Sequence, residues 1–327
     1  MIKVGKIIGD KISGSFNMPF EKNTAMPRQT VRKIILRHQY LKSEIARAAH
    51  TPETLYIMAD EKFIPLQREK EERAHEMIKM AVIFEDIKPI KRKNGTYTQR
   101  NQIINKTIVA NTKTDFWDTV IEVLYKKYDM EKVKNLYLMG DGAPWIKTGI
   151  DSLKCPKIKI KFGIDSFHFN QAIRRIIPDN DIYKLLSNYA YCNLRKEFKY
   201  VVNGISKEYP ERKEAIQSNH KYIMNHWHHF QIAVNEIEKG CPMEQAVSHI
   251  LASVFTSVAK AYGKRHLPAY INNRIIHQNN QDIRSTVLKE ISEETLDYPD
   301  FDFSIFEHRQ YSNPTIREFN KNIITAF

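Results

Sequence analysis

Cysteine is scarce in this 327-residue chain. Cys155, Cys192 and Cys241 are far apart and form no Cys-x-x-Cys, which excludes a disulfide framework and argues against a cysteine zinc site. Long apolar runs are missing too: none approaches the ~20 residues that a membrane-spanning helix needs. The opening residues, Met1 to Ile8, lack the apolar core of a secretory signal. A cytoplasmic protein without a membrane partner is therefore expected. Internal repeats and low-complexity tracts are likewise absent. What is present is globular: 42% hydrophobic and 27% charged residues exclude a disordered or fibrous chain, and the length gives about two domains with a full core. Lys and Arg number 51 against 38 acids, a net +13 that favours a polyanionic partner, nucleic acid before anionic lipid.

The chain opens with about 25 residues without periodicity. Pro27 suits the first turn of a helix, and Val31, Ile34, Ile35 and Leu41 draw an apolar stripe along residues 28–49. Sheet follows. The runs Thr54–Asp60 and Met80–Phe84 are short, apolar and β-rich. Asn94-Gly95 between two strand-forming stretches, 87–92 and 96–109, is a strong hairpin signal, because both turn residues tolerate positive φ. Next come a helix marked by Phe116, Val120, Ile121, Leu124 and Tyr125, a strand over 135–139, a short helix over 145–153 and an alternating strand from Lys157 towards Asp165. Residues 169–238 have almost no β signal and read as a helical block. A long final helix is expected from Pro242, with Met243, Val247, Ile250, Leu251, Val254 and Val258 on one face. This order implies an α/β or α+β fold with an all-α segment near residues 170–240.

Two acids terminate apolar strands: Asp60 after Leu-Tyr-Ile-Met-Ala, and Asp141 after Leu-Tyr-Leu-Met-Gly. A carboxylate there is costly to bury unless it is paired or binds a cation. If the strands are neighbours, the two acids make a hard-oxygen site for Mg²⁺ or Mn²⁺, the kind that serves phosphodiester chemistry. Glu244, at the start of the final helix and beside its apolar stripe, is the best third acid. Glu61 is the weaker choice, because alternation points it to the opposite face. Asp165 ends a third strand with His168 three residues on; the pair either orients an imidazole or is a helix cap beside a partly buried histidine.

Taken in order, Leu55-Tyr-Ile-Met-Ala-Asp-Glu61 with Leu66-Gln67, Gly140-Asp-Gly-Ala-Pro-Trp-Ile-Lys147, Asp165-Ser-Phe-His168, and Glu244 with Val247-Ser-His249 resemble the ISLre-type insertion-sequence transposases, of the Mutator-like branch of DDE transposases. The resemblance covers roughly residues 27–270. It implies an RNase H-like fold, a mixed sheet flanked by helices, with an all-α insertion between the second and third acids. Asp60, Asp141 and Glu244 fall on the catalytic, metal-binding acids, and Asp165 and His168 on a supporting motif. The implied chemistry is Mg²⁺- or Mn²⁺-dependent hydrolysis at the element's ends, then attack of a 3′-OH on target DNA. The implied partner is double-stranded DNA, and a homo-oligomer is expected by analogy. Lys91, Arg92, Lys93, Lys147, Arg174, Arg175, Lys264 and Arg265 are candidate phosphate contacts, with Trp227 or Trp145 as stacking surfaces. The expected parts are a lead-in and N-terminal helix (1–50), a first part of the catalytic core (51–168), the insertion (169–240) and a final catalytic helix with its tail (241–327). Little chain precedes Met26–Lys33, which resembles the end of the family's helix-turn-helix-like region. The alternative is thus a truncated, inactive remnant that binds DNA or the full-length transposase.

Overall fold

The computed structural model describes residues 36, 44–67, 75–91, 96–237, 239–256 and 262–279, all within one unit, Met1–Ile283. The expected lead-in, most of the first helix, Arg92, Lys93, the Asn94-Gly95 turn, Val258 and the C-terminal tail lie outside them. Leu36 is helical, but residues 44–48 are irregular, so the first helix does not extend to Ala49.

A five-stranded mixed sheet has the order β5-β2-β1-β6-β7, with β1 Thr54–Pro65, β2 His75–Phe84, β5 Thr107–Asn111, β6 Asn135–Gly140 and β7 Lys159–Ile164. β2 and β5 add antiparallel on one side of β1, whereas β6 and β7 run parallel on the other. β1 is central and covered on both faces, which is why Leu55 to Ala59 is an unbroken buried apolar run rather than an alternating one. Between β2 and β5 the chain makes a separate two-stranded ribbon, β3 Asp86–Lys91 with β4 Tyr97–Ile104. The single strand expected over 96–109 is therefore two strands in two sheets. They divide at Asn105, whose φ of 50° interrupts extended backbone. Lys127 fixes this corner by donating to the Asn105 carbonyl (2.5 Å) and the Thr107 hydroxyl (2.8 Å).

Strand alternation sorts the core into two layers. Leu55, Ile57, Leu136 and Leu138 face α1 (Phe116–Lys127), α3 (Ser166–Ile176) and α6 (Lys213–Ile232), meeting Phe116, Val120, Phe169, Ile173, Ile223 and Phe230. Tyr56, Met58, Met80 and Met139 face the other way, towards Met243, Val247, Leu267 and Ile271. α2 (Pro144–Ser152) joins β6 to β7, while α4 (Asn180–Tyr191) and α5 (Arg195–Glu208) complete a helical stretch between β7 and α6.

The expected final helix is present from Met243 to Phe255, with Met243, Val247, Ile250, Leu251 and Val254 buried on one side, but it is not regular. α7 (Met243–Val247) widens into a π turn, Ser248–Ala252, before a last short turn, Ser253–Phe255. A π turn shifts carbonyls out of the normal ladder. Here buried Arg274, on α8 (Leu267–Gln278), donates to the carbonyls of Ile250 (2.9 Å) and His249 (2.8 Å). α8 also guards the sheet edge: the Asn279 side chain accepts from the Ile108 amide (2.8 Å) and donates to the Ile108 carbonyl (3.0 Å), satisfying edge-strand groups. Among the described residues, no helix is long and apolar enough to cross a membrane.

Candidate active site

Register places the acids. Thr54 pairs with Asn135 and Asn135 with Lys159 across three parallel strands. Six residues further along each strand stand Asp60, Asp141 and Asp165. The three acids thus stand at one level on neighbouring strands. Asp141 and Asp165 directly follow the ends of β6 and β7. Asp60 does not end its strand as expected: β1 runs on to Pro65 because β2 keeps pairing with it past Asp60, whereas its pairing with β6 stops at Met58. Even spacing from Tyr56 and Met58, and from Tyr137 and Met139, puts Asp60 and Asp141 on the sheet face covered by α7. The Asp165 amide donates to the Gly140 carbonyl (2.7 Å), tying the β7 end to the β6 end.

Their surroundings differ. Burial pushes the Asp60 carboxyl up to about 7, a hydrogen bond from the Glu61 amide opposes this, and the Asp141 charge adds to the rise. Asp141 is half-exposed and accepts from the Ala143 amide (2.9 Å). Asp165 is buried and caps α3 by accepting from the Phe167 amide (2.9 Å); burial raises its carboxyl as well. The Asp165–His168 alternatives therefore coexist. Asp165 is the cap, and His168 Nε2 lies 3.9 Å from both Asp165 Oδ2 and Glu244 Oε2. Glu244 stands at the rim with 59% of its side chain exposed, and it meets the acid row through His168.

Glu61 projects to the opposite face, where it accepts from Trp145 Nε1 at 2.6 Å. Trp145 stacks on Trp117 and meets Phe116 edge-on, so its ring is packed against the core. Trp227 is buried at 3% exposure and donates to Asn193 Oδ1, which removes it as a stacking surface for DNA. Lys91, Arg174, Arg175, Lys264 and Arg265 are exposed and Lys147 is half-buried. Arg174 sits over the Tyr183 ring (3.8 Å), and Lys264 faces Glu76 (3.8 Å).

Three residues of the site were not foreseen from the sequence. Cys241 is partly buried among the acids: burial first, then the charges of Asp165, Asp60 and Asp141, push its thiol well up. Tyr222 and His226 reach the site from α6. The Tyr222 hydroxyl donates to the Asp141 carbonyl at 2.9 Å, and His226 lies against Gly142. Their i, i+4 spacing marks a shared helix face, but nothing in the sequence says what that face meets.

Among the described residues, no three His, Cys, Asp or Glu side chains are gathered closely enough to ligate a metal together. Mg²⁺ does not require that, since it is commonly held by one or two carboxylates, waters and substrate phosphates. Asp60 and Asp141 fit this habit: two carboxylates at one level on adjacent strands, one of them raised by burial and by the other's charge.

Residues 21–291 match a family described as Uncharacterised protein family (UPF0236). The chain belongs to that family. A UPF0236 protein of Caldanaerobacter subterraneus subsp. tengcongensis is 27% identical over 236 residues, which is 70% of this chain and 48% of the relative. Another from the same organism is 26% identical over 291 residues, 85% of this chain and 59% of the relative, and its name joins eleven locus designations. A third, 27% identical over 70% of this chain and 48% of its own length, joins four. This UPF0236 chain thus spans about half the length of the curated relatives it matches.

Proposed function

We propose that this chain carries the catalytic core of a DDE transposase, cleaving DNA strands at the ends of a mobile element and joining them to target DNA. The observation that carries the reading is the common level of Asp60 and Asp141 on adjacent parallel strands, under the helix that bears Glu244. The mixed sheet, flanked by helices, is compatible with an RNase H-like fold, and a helical stretch lies between β7 and α7, where the family resemblance leads one to expect an insertion. The eleven designations in one relative's name fit a gene present at many places in one genome, as mobile elements are. The net charge of +13 suits a DNA partner.

In this reading Asp60 and Asp141 would hold Mg²⁺ or Mn²⁺, with Glu244 closing the site from the rim. The metal, when bound, supplies Lewis acidity and a water of lowered pKa. Asp60 and Asp141 would orient it, and His168, 3.9 Å from both Asp165 Oδ2 and Glu244 Oε2, stands between Glu244 and the acid row. Hydrolysis breaks a phosphodiester P–O bond and leaves a 3′-OH. That hydroxyl then attacks a target phosphate, and the target strand's own 3′-oxygen departs with a proton. Electrostatic stabilisation of charge on the transferring phosphoryl group is the main service such a site provides.

The test is strand cleavage with Mn²⁺ on DNA carrying the element's ends. Asp141→Asn should lose cleavage and keep DNA binding. Equal cleavage by the variant would remove the assignment. Salt-sensitive DNA binding by the wild type, with no cleavage under either metal, would favour the DNA-binding remnant.

A further inference from the structure

The loop that carries Asp141 is supported from outside the sheet. After β6 the chain turns through Gly142 at a φ of +88°, a conformation that disfavours any side chain. There is also no room for one: a Cβ at Gly142 would stand 2.5 Å from Cε1 and 2.8 Å from Nε2 of His226. One helical turn earlier on α6, the Tyr222 hydroxyl donates to the backbone carbonyl of Asp141 itself, at 2.9 Å. The two rings lie 4.7 Å apart and brace each other, and His226 Nδ1 is 3.5 Å from His229 Nδ1.

α6 is in turn firmly seated. Ile223, Trp227 and Phe230 are buried, Phe230 stacks on Phe169 of α3 at 3.9 Å, and Trp227 Nε1 donates to Asn193 Oδ1 at 2.7 Å. Gln231 donates to the Ala190 carbonyl at 2.8 Å. A rigid helix outside the sheet therefore grips the turn directly after the second acid.

We infer that Tyr222 and His226 are positioning residues: the helical segment sets the geometry of the Asp141 carboxylate through one hydrogen bond and one close packing contact. This deepens the metal-site reading above and rests on it. Tyr222 touches no reacting group. It fixes the peptide that aims one.

The experiment uses the full chain and Mn²⁺ alone as the probe, followed by electron paramagnetic resonance, with hydrogen exchange and thermal melting in parallel. Tyr222→Phe removes only the hydroxyl. It should weaken Mn²⁺ binding about fivefold, the weight of one neutral hydrogen bond, and speed amide exchange over 141–143, with the melting temperature within about 2 °C of wild type. Gly142→Ala, which cannot clear His226, should do the same more strongly. Mn²⁺ affinity and loop exchange both unchanged in Tyr222→Phe, while Asp141→Asn loses Mn²⁺, would overturn the positioning role and leave the metal site standing. Asp141→Asn without effect on Mn²⁺ would instead remove the metal-site reading. The exchange rates of Tyr222→Phe then decide by themselves whether α6 holds the loop.

Discussion

Asp60→Asn should stabilise the fold at the same time as it disables the proposed chemistry. Burial raises the Asp60 carboxyl from 3.8 to about 7, so the folded state binds a proton more tightly than the unfolded chain. The sign follows from linkage. Below 3.8 the group is protonated in both states and costs nothing. As pH rises to about 7 the unfolded chain ionises first, stability falls, and the full cost is present above 7. A rise of that size corresponds to about 4 kcal/mol as a ceiling. Asp60 is only partly buried, so roughly half, ~2 kcal/mol, is expected. The carboxamide keeps the shape of the side chain and can still accept the Glu61 amide hydrogen bond, which is 2.8 Å in the wild type. In urea unfolding, Asp60→Asn should match wild type near pH ~4 and exceed it by ~2 kcal/mol at pH ~8, a melting shift of roughly 4 °C. Mg²⁺ at the higher pH should then stabilise the wild type and narrow the gap, because a bound cation satisfies the ionised pair. A gap that does not vary with pH, or a variant less stable than wild type in the alkaline range, would refute this account of Asp60.

Three further substitutions probe the site and its supports. Arg274→Met leaves the carbonyls of Ile250 and His249 without their donor in the widened turn after α7 and should cost roughly 3 kcal/mol in urea unfolding; a loss below about 1 kcal/mol would mean that the turn closes on itself. The third acid is tested by a pair of variants. Glu244→Gln, on an exposed side chain, should leave stability unchanged and reduce strand cleavage by about a hundredfold or more. Asp165→Asn keeps a residue that caps helices equally well, so its stability should stay within about 1 kcal/mol of wild type, and its cleavage should fall less than that of Glu244→Gln. The reverse ranking would make Asp165 the third acid.

The acids were legible because strand periodicity is local. Two apolar runs ending in Asp mark both carboxylates, and an even count from Tyr and Met says which face each takes; the strand end holds for Asp141 but not for Asp60, because β1 continues to Pro65 against β2. The same count sends Glu61 to Trp145 on the other face. Other features depend on residues remote in sequence. That 54, 135 and 159 share a level is decided by pairing between strands separated by a ribbon and two helices, and no local pattern encodes it; the row of Asp60, Asp141 and Asp165 emerges only from that register. The final helix read as continuous because its apolar stripe is continuous. The π turn at Ser248 leaves no mark in that stripe; its carbonyls at His249 and Ile250 are met by Arg274, 24 residues past Ile250. Trp227 and Tyr222 show the limit most plainly. Both are aromatic residues in a polar, histidine-rich helix, where composition does not tell them apart. One is core, and the other reaches the backbone of a proposed catalytic acid. Only packing separates them, because which side of α6 meets the sheet is fixed by Phe169, Phe230 and Asn193 together. The helical segment therefore contributes to the site through its fold, not through a motif of its own.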